Sequence, residues 1–293
     1  MRIGYYPGCS LHGTSREFDE SLRAVATALD VELVEVDDWS CCGATSAHAT
    51  NHLLGVALAA RNLALAEAQG QDAVLAPCAA CYNRLASARH ELAEDATLAG
   101  RIPAIIGRPL SGGVAVRNVV ELLRGLTTAI ATKTVRPLAG LKLACYYGCL
   151  LLRPAPVGEF DDPEAPVSME EVVAATGATT VAWNMRLECC GGAFSIPRTS
   201  SVVRLGRAII ADARAAGAGA IVVACPMCHS NLDFRQRAMA ARGEPRMPVL
   251  FLTEVVGLAL GIAPARLGLR RHYVDTAAVL AGAAPPAGTK EVR

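Results

Sequence analysis

Ala73-Val74-Leu75-Ala76-Pro77-Cys78-Ala79-Ala80-Cys81 carries two signals in nine residues. The first four residues form a short, wholly apolar run of the kind that fills the middle of a parallel sheet. Pro77 ends it, and a C-x-x-C opens the helical stretch 78–92. The same order returns in Ala220-Ile221-Val222-Val223-Ala224-Cys225-Pro226-Met227-Cys228. A buried strand that hands its carboxyl end to a cysteine pair, twice, predicts an α/β fold with its chemistry at the strand ends.

Each C-x-x-C closes a longer frame. The first runs from Tyr6-Pro7-Gly8-Cys9 through Ser40-Cys41-Cys42-Gly43 to Cys78 and Cys81, and reads Cys-x31-Cys-Cys-x35-Cys-x2-Cys. The second runs from Tyr147-Gly148-Cys149 through Glu188-Cys189-Cys190-Gly191 to Cys225 and Cys228, and reads Cys-x39-Cys-Cys-x34-Cys-x2-Cys. Ten of the eleven cysteines fall inside these frames; Cys145 is the remaining one. The repeat predicts two domains, residues 1–137 and 138–293, with a linker around 132–139.

The rest of the chain alternates at βαβ lengths. In the first half, strands are expected at 3–6, 31–36 and 73–76, and helices at 15–29, 51–69 and 78–92. In the second, strands are expected at 141–147, 179–183 and 220–224, and helices at 169–175, 202–216 and 252–260. Residues 101–137 read as a helical excursion whose apolar stripe, Val119–Leu123, is echoed by the helix starting at Leu252. A Pro-rich loop spans 153–166, and the Ala/Pro/Gly-rich tail after Thr276 is expected to be mobile. The fold class is therefore two pseudo-symmetric, Rossmann-like βαβ domains, each with a parallel sheet.

Composition narrows the function. The net charge is +1 with Lys and Arg scattered, which leaves no basic stripe for nucleic acid. The longest apolar run, 215–228, falls short of the roughly 18–20 residues a membrane span needs. No targeting segment is visible at the N-terminus. The expected location is cytoplasmic, where eleven cysteines read as metal ligands or redox groups rather than disulfides.

A C-x-x-C at a helix start sets two thiolates beside backbone N–H groups that stabilise negative sulfur. Zinc takes four ligands in a closed tetrahedron, and a cubane iron–sulfur cluster also takes four. Each frame offers five. Either one thiolate per site is catalytic, or the centre takes all five. Two structural zinc sites would leave the same surplus ligand twice, and a thioredoxin-like dithiol would leave Cys9, Cys41 and Cys42 without a role.

The doubled frame, with Cys-Cys-Gly inside each copy, resembles the paired CCG domains of heterodisulfide reductase in its HdrB component, and the likeness extends from Tyr6 to the helix at 252–260. The resemblance implies two noncubane 4Fe–4S clusters, one on Cys9, Cys41, Cys42, Cys78 and Cys81, the other on Cys149, Cys189, Cys190, Cys225 and Cys228. It implies iron–sulfur sites facing each other across the domain interface, which cleave a disulfide and each capture one sulfur. Leu150 follows Cys149 where the methanogenic enzymes tend to have a histidine, which sets this chain apart from the coenzyme M–coenzyme B heterodisulfide as substrate.

The expected activity is the interconversion of a disulfide and two thiols by the catalytic component of a heterodisulfide-reductase-like complex. No G-x-G-x-x-G follows a strand, and the ferredoxin run C-x2-C-x2-C-x3-C-P is absent. Electrons are expected to pass through separate partners, which the resemblance gives as a ferredoxin-like iron–sulfur subunit and a flavin-containing subunit. Two other readings compete: the electron-relay iron–sulfur subunit of a glycolate- or lactate-type oxidase, and a zinc-stabilised scaffold. His12 and His229 stand next to the frames as candidate proton donors to the sites. Asn83 and Asn231 read as residues serving their local turns, Arg153 as a candidate contact for an anionic substrate, and Cys145 as a core thiol.

Overall fold

A computed structural model describes residues 1–44, 47–240 and 243–282. It contains two four-stranded sheets, both entirely parallel. The first joins β1 (Arg2–Tyr5), β2 (Glu32–Glu35), β3 (Ala73–Leu75) and β4 (Ala115–Arg117) in the order β2-β1-β3-β4. The second joins β5 (Lys142–Tyr146), β6 (Thr179–Thr180), β7 (Ala220–Val223) and β8 (Val249–Phe251) in the order β6-β5-β7-β8. The two sheets have the same topology. In each, the chain winds one way from the first strand to the second and the other way to the third, which opens a crevice at the carboxyl ends between first and third strands.

The central strands carry almost no polar side chains because helices cover both faces of a parallel sheet. All four residues of β7 are buried, as are the last four of β5. The helices stop and start on local chemistry. Asn51 accepts the Leu54 N–H at 3.0 Å and caps helix His52–Ala68. Pro226 occupies the first turn of helix Pro226–Asp233, where its missing N–H costs nothing.

Two strands differ from the sequence expectation. β4 lies inside the stretch read as a helical excursion, and β8 runs directly into helix Leu252–Ala259. Both are three-residue strands, too short to show a period of two before the helical pattern takes over. With them in place, helix Val119–Arg124 and helix Leu252–Ala259 are seen as the elements that follow the fourth strand of each half. Helix Ala277–Gly282 occupies the start of the tail expected to be mobile, and 283–293 lie outside the described residues.

Those two helices build the contact between the halves. Helix Arg16–Ala28, which follows the first strand of one half, packs on helix Leu252–Ala259 of the other. Helix Ser168–Ala175 packs in the same way on helix Val119–Arg124. In the first contact Phe18 stacks on Phe251 with centroids 4.2 Å apart, and the buried hydroxyls of Ser21 and Thr253 bond at 2.7 Å. In the second, Arg124 binds Glu171 through two nitrogens.

Beneath the first contact lies a buried titratable cluster. His272 Nε2 meets Glu254 Oε1 at 2.8 Å, and His272 Nδ1 lies 3.4 Å from His229 Nε2. Glu17, from the other half, approaches His229 at 4.0 Å, and Asp233 accepts the N–H groups of Tyr273 and Val274. Burial opposes the charge on His272, but Glu254, Asp233 and Glu17 outweigh it and raise its pKa. Burial also raises Glu254, Glu17 and Asp233. Every one of these four shifts leaves the folded chain holding more protons than the unfolded one. Burial pushes His229 of the same cluster well down, which works in the opposite sense until the ordinary histidine range is passed. Stability is therefore expected to fall with pH above that range, through the raised His272 pKa. Melting temperatures compared between about pH 7 and about pH 9 test this, and His272→Gln should flatten the slope.

Candidate metal centre

All five cysteines of each frame stand beyond a strand's carboxyl end. Cys9 follows β1, Cys41 and Cys42 follow β2, and Cys78 follows β3; the second half repeats this with β5, β6 and β7. Cys78 and Cys225 form the N-caps of helices Ala79–Glu94 and Pro226–Asp233. The second thiol of each pair lies in the first helical turn, so both sulfurs sit among unbonded N–H groups.

Within each half the sulfurs close up identically. Cys42 Sγ lies 3.4 Å from Cys81 Sγ, and Cys190 Sγ lies 3.6 Å from Cys228 Sγ. The Gly43 N–H donates to Cys41 Sγ at 3.4 Å, and the Gly191 N–H donates to Cys189 Sγ at 3.3 Å. Cys149 donates to Cys189 at 3.7 Å. Both halves place a tyrosine under the thiols: Tyr6 donates to Ser40 O at 2.7 Å and Tyr146 to Glu188 O at 2.5 Å. Burial first, and then the neighbouring cysteines, push both phenols far up, so they remain protonated donors. Sequence reading missed this pair, although each tyrosine stands three residues before the first cysteine of its frame.

Glycine is required before that cysteine. Gly8 and Gly148 have φ of +66° and +67°, and a Cβ on either would stand 3.0 or 3.1 Å from Cys81 Sγ or Cys228 Sγ. A side chain here would be strained and would push on a thiol.

Electrostatics divides the thiols. The hydrogen bond with Cys81 brings Cys42 down to about 7, and that from Cys149 brings Cys189 down to about 6. Bonds with Cys228 and Cys78 hold Cys225 low, while sharing that bond raises Cys78. Cys78 and Cys225, one from each half, lie close enough for each thiol to shift the other's ionisation, which brings the two frames together at their C-x-x-C elements. Cys9, Cys41 and Cys189 are exposed and Cys149 is half-buried, so each set is open to solvent on one side.

All eleven cysteines are free thiols. Among the described residues, no three His, Cys, Asp or Glu side chains converge as a site for a single ion. The thiols instead form pairs at 3.4–3.7 Å, close to the roughly 3.8 Å edge between thiolates on one tetrahedral metal with about 2.3 Å bonds. Several such pairs suit a centre that spreads its ligands over more than one metal atom.

Other candidates fall elsewhere. His12 is exposed, bonded to Glu35 at 3.2 Å and set edge-on to Trp39. His229 is buried, stacked on Phe251 and bonded to Val249 O at 3.1 Å. Neither ring has a bond to a thiol among the described residues. Cys145 lies in β5, fully buried, with its carbonyl taking the Trp183 N–H. Arg153 pairs with Glu164 on the surface. Asn231 does not serve a local turn: its amide reaches the distant Cys190, at 3.3 Å to the carbonyl O and 3.6 Å to Sγ.

Asn83 does not serve a local turn. Buried in the first half, it donates to Leu150 O at 3.3 Å and Arg153 O at 2.7 Å, on the loop that carries Cys149. Arg84 donates to its Oδ1 at 2.7 Å, which fixes the amide with its NH₂ toward those carbonyls. Asn83→Asp keeps the size but replaces both donated bonds with repulsion between oxygens. Alkylation of the metal-free chain is expected to be faster at Cys149 in this variant by about tenfold, the size of effect about 1.4 kcal/mol produces, and unchanged at Cys9. Peptide mapping by mass spectrometry reads both.

A family model described as the cysteine-rich domain, CCG, matches residues 3–86 and 143–233. The chain is 36% identical over 278 residues to the 8-methylmenaquinol:fumarate reductase membrane anchor subunit of Wolinella succinogenes, covering 93% of this chain and 97% of that one. It is 30% identical over 289 residues to the HdrB component of the ferredoxin/F(420)H(2)-dependent CoB-CoM heterodisulfide reductase of Methanosarcina acetivorans, covering 96% of each. Among solved structures, a hypothetical protein from Helicobacter pylori superposes with a TM-score of 0.72 at 11% identity. That match covers 94% of this chain and 52% of the other, and it speaks for the fold alone.

Proposed function

The chain belongs to the CCG cysteine-rich-domain family that includes the HdrB component of heterodisulfide reductase, and from that premise we propose that it interconverts a disulfide and two thiols at two iron–sulfur sites. The observation that carries this reading is the Cys78–Cys225 contact, which sets two five-thiol frames against each other. We take 1–137 and 138–293 as the two domains; the sheets, within 2–117 and 142–251, support that division.

The ligands we assign are Cys9, Cys41, Cys42, Cys78 and Cys81 in one site and Cys149, Cys189, Cys190, Cys225 and Cys228 in the other. When bound, noncubane 4Fe–4S clusters would supply single electrons and iron positions open to sulfur. The chain's own residues do the rest. Low-lying Cys42, Cys189 and Cys225 are ready as thiolates, N–H groups of Gly43 and Gly191 hold exposed sulfurs, and Tyr6 and Tyr146 stay protonated beneath. Exposed Cys9 and Cys41 in one set and exposed Cys189 in the other give a small disulfide or thiol access. Electrons exchange with a ferredoxin-like subunit and, beyond it, a flavin-containing one. Free thiols suit a reducing compartment, and we take the cytoplasm as the location. No described helix is long and apolar enough to cross a membrane.

Elemental analysis of anaerobically purified protein tests the assignment. About eight irons per chain are expected for two four-iron sites, with little zinc. About two zincs and no iron would make the chain a zinc-stabilised scaffold.

A second reading is favoured by the 36% identical relative, whose name couples a methylmenaquinol to fumarate reduction. In that reading the two sites relay electrons between a quinol and a partner dehydrogenase or reductase, rather than acting on sulfur. It stands beside the glycolate- or lactate-type oxidase as a relay alternative.

A further inference from the structure

A cavity of about 470 Å³ lies away from the thiols, between the halves. One wall is a stripe of helix Ala79–Glu94 formed by Tyr82, Ala86, Arg89 and Ala93. Cys81, Leu85 and Ala88 occupy the neighbouring, buried stripe of the same helix. The facing wall is the segment 156–160 of the second half, and Leu63, Leu110 and Val116 supply apolar surface. Tyr82 joins the walls: its hydroxyl donates to Val157 O at 3.0 Å and its ring meets Phe160 edge-on.

The polar groups are spread along the helix: Glu121 is near enough to Tyr82 to raise its pKa, and Arg89 stands about two turns, roughly 10 Å, further on. Arg89 and His90 project at one side, neither with a bonded partner among the described residues. On the other, half-buried Glu121 pairs with Arg117 at 2.5 Å, and burial raises its pKa, so its carboxyl is more easily protonated. The lining disfavours two ligand classes. A phosphate drawn by Arg89 and His90 would also face Glu121 and Glu159. A purely aliphatic ligand would bury the polar end groups unpaired, at a cost. A flat aromatic body with an oxygen at each end matches the aromatic edge, the apolar wall and both polar ends. The volume falls within the roughly 300–1,000 Å³ of small-molecule sites.

We propose that this cavity binds a quinone-class ring against the Tyr82–Phe160 pair, with its oxygens toward Arg89/His90 and Glu121. Tyr82 follows Cys81 in the chain, so one helix carries both this wall of the cavity and a thiol of the first set. The inference rests on the relay reading above.

Duroquinone, whose ring has no open position for a thiol to add to, is the probe, and durene is the same ring without oxygens. Equilibrium dialysis with the full chain is expected to show one saturable duroquinone site, with durene at least about tenfold weaker. Ala86→Phe fills the cavity and should weaken duroquinone about tenfold or more with circular dichroism unchanged; Ala93→Phe, at the exposed rim, does the same without touching the core. No saturable binding, equal binding of durene, or unchanged binding in both variants overturns the proposal. Mixing metal-loaded protein with duroquinol separates it from the reading it rests on. If wild type and both variants bleach equally fast, the relay stands and this cavity is not its site. If none bleaches while duroquinone binding still depends on Ala86 and Ala93, the cavity stands and the relay reading falls.

Discussion

Serine at Cys42 or at Cys190 is expected to lower disulfide turnover by about 100-fold or more, the upper end of what disturbing even a ligand's supporting partners costs. Each is buried and paired with the second cysteine of its C-x-x-C, at 3.4 and 3.6 Å. Cys42 is held near neutrality by Cys81, so a large fraction is already thiolate at neutral pH and ready to bind metal. A serine hydroxyl does not ionise in this range and replaces a soft donor with a hard one. Some iron is expected to remain, because the four other thiols of each frame are untouched. The comparison with Cys41→Ser and Cys189→Ser is informative, since those thiols are exposed and held by a glycine N–H. Wild-type turnover in Cys42→Ser and Cys190→Ser would mean that four cysteines suffice and the fifth is incidental.

The site was legible in the sequence to an unusual degree because cysteine spacing is a one-dimensional record of which strand ends must meet. The apolar runs before Cys78 and Cys225 gave the central strands, and the doubled frame gave the repeated sheet. The fourth strands were not legible. Val249-Leu250-Phe251 is followed at once by the apolar helix Leu252–Ala259, so no polar boundary marks the change of period. Contacts between halves were equally hidden. Phe18 reads as one more position on a helical stripe, and nothing in the sequence says that its partner is Phe251, in the other half. Asn83 looked like a turn residue because short amides usually bond locally; here local N–H groups are used by the helix, and the free amide reaches the other half.

Phe251→Ala is expected to cost about 3–5 kcal/mol of stability, the usual range for a buried aromatic, and to separate the two thiol sets. Phe251 is fully buried between Phe18 of the other half, at 4.2 Å, and the His229 ring, at 4.4 Å. Removing it leaves a void on the cross-half stack and frees His229, which follows Cys228 in the chain. The halves would keep the packing of helix Ser168–Ala175 on helix Val119–Arg124 and the Tyr82 and Asn83 bonds, so they would part on the Phe18 side while staying joined on the other. Diamide oxidation of the metal-free chain reads the geometry directly: wild type should yield a Cys78–Cys225 crosslink by peptide mapping, and Phe251→Ala much less of it. Phe251→Leu keeps most of the apolar burial and should lie between them in both melting temperature and crosslink yield. If disulfide turnover and the crosslink survive in Phe251→Ala despite its lower melting temperature, the facing of the two frames is set elsewhere than at this stack. If turnover falls with the crosslink while iron content holds, the reaction needs both sites at one cleft, which a relay between independent centres does not.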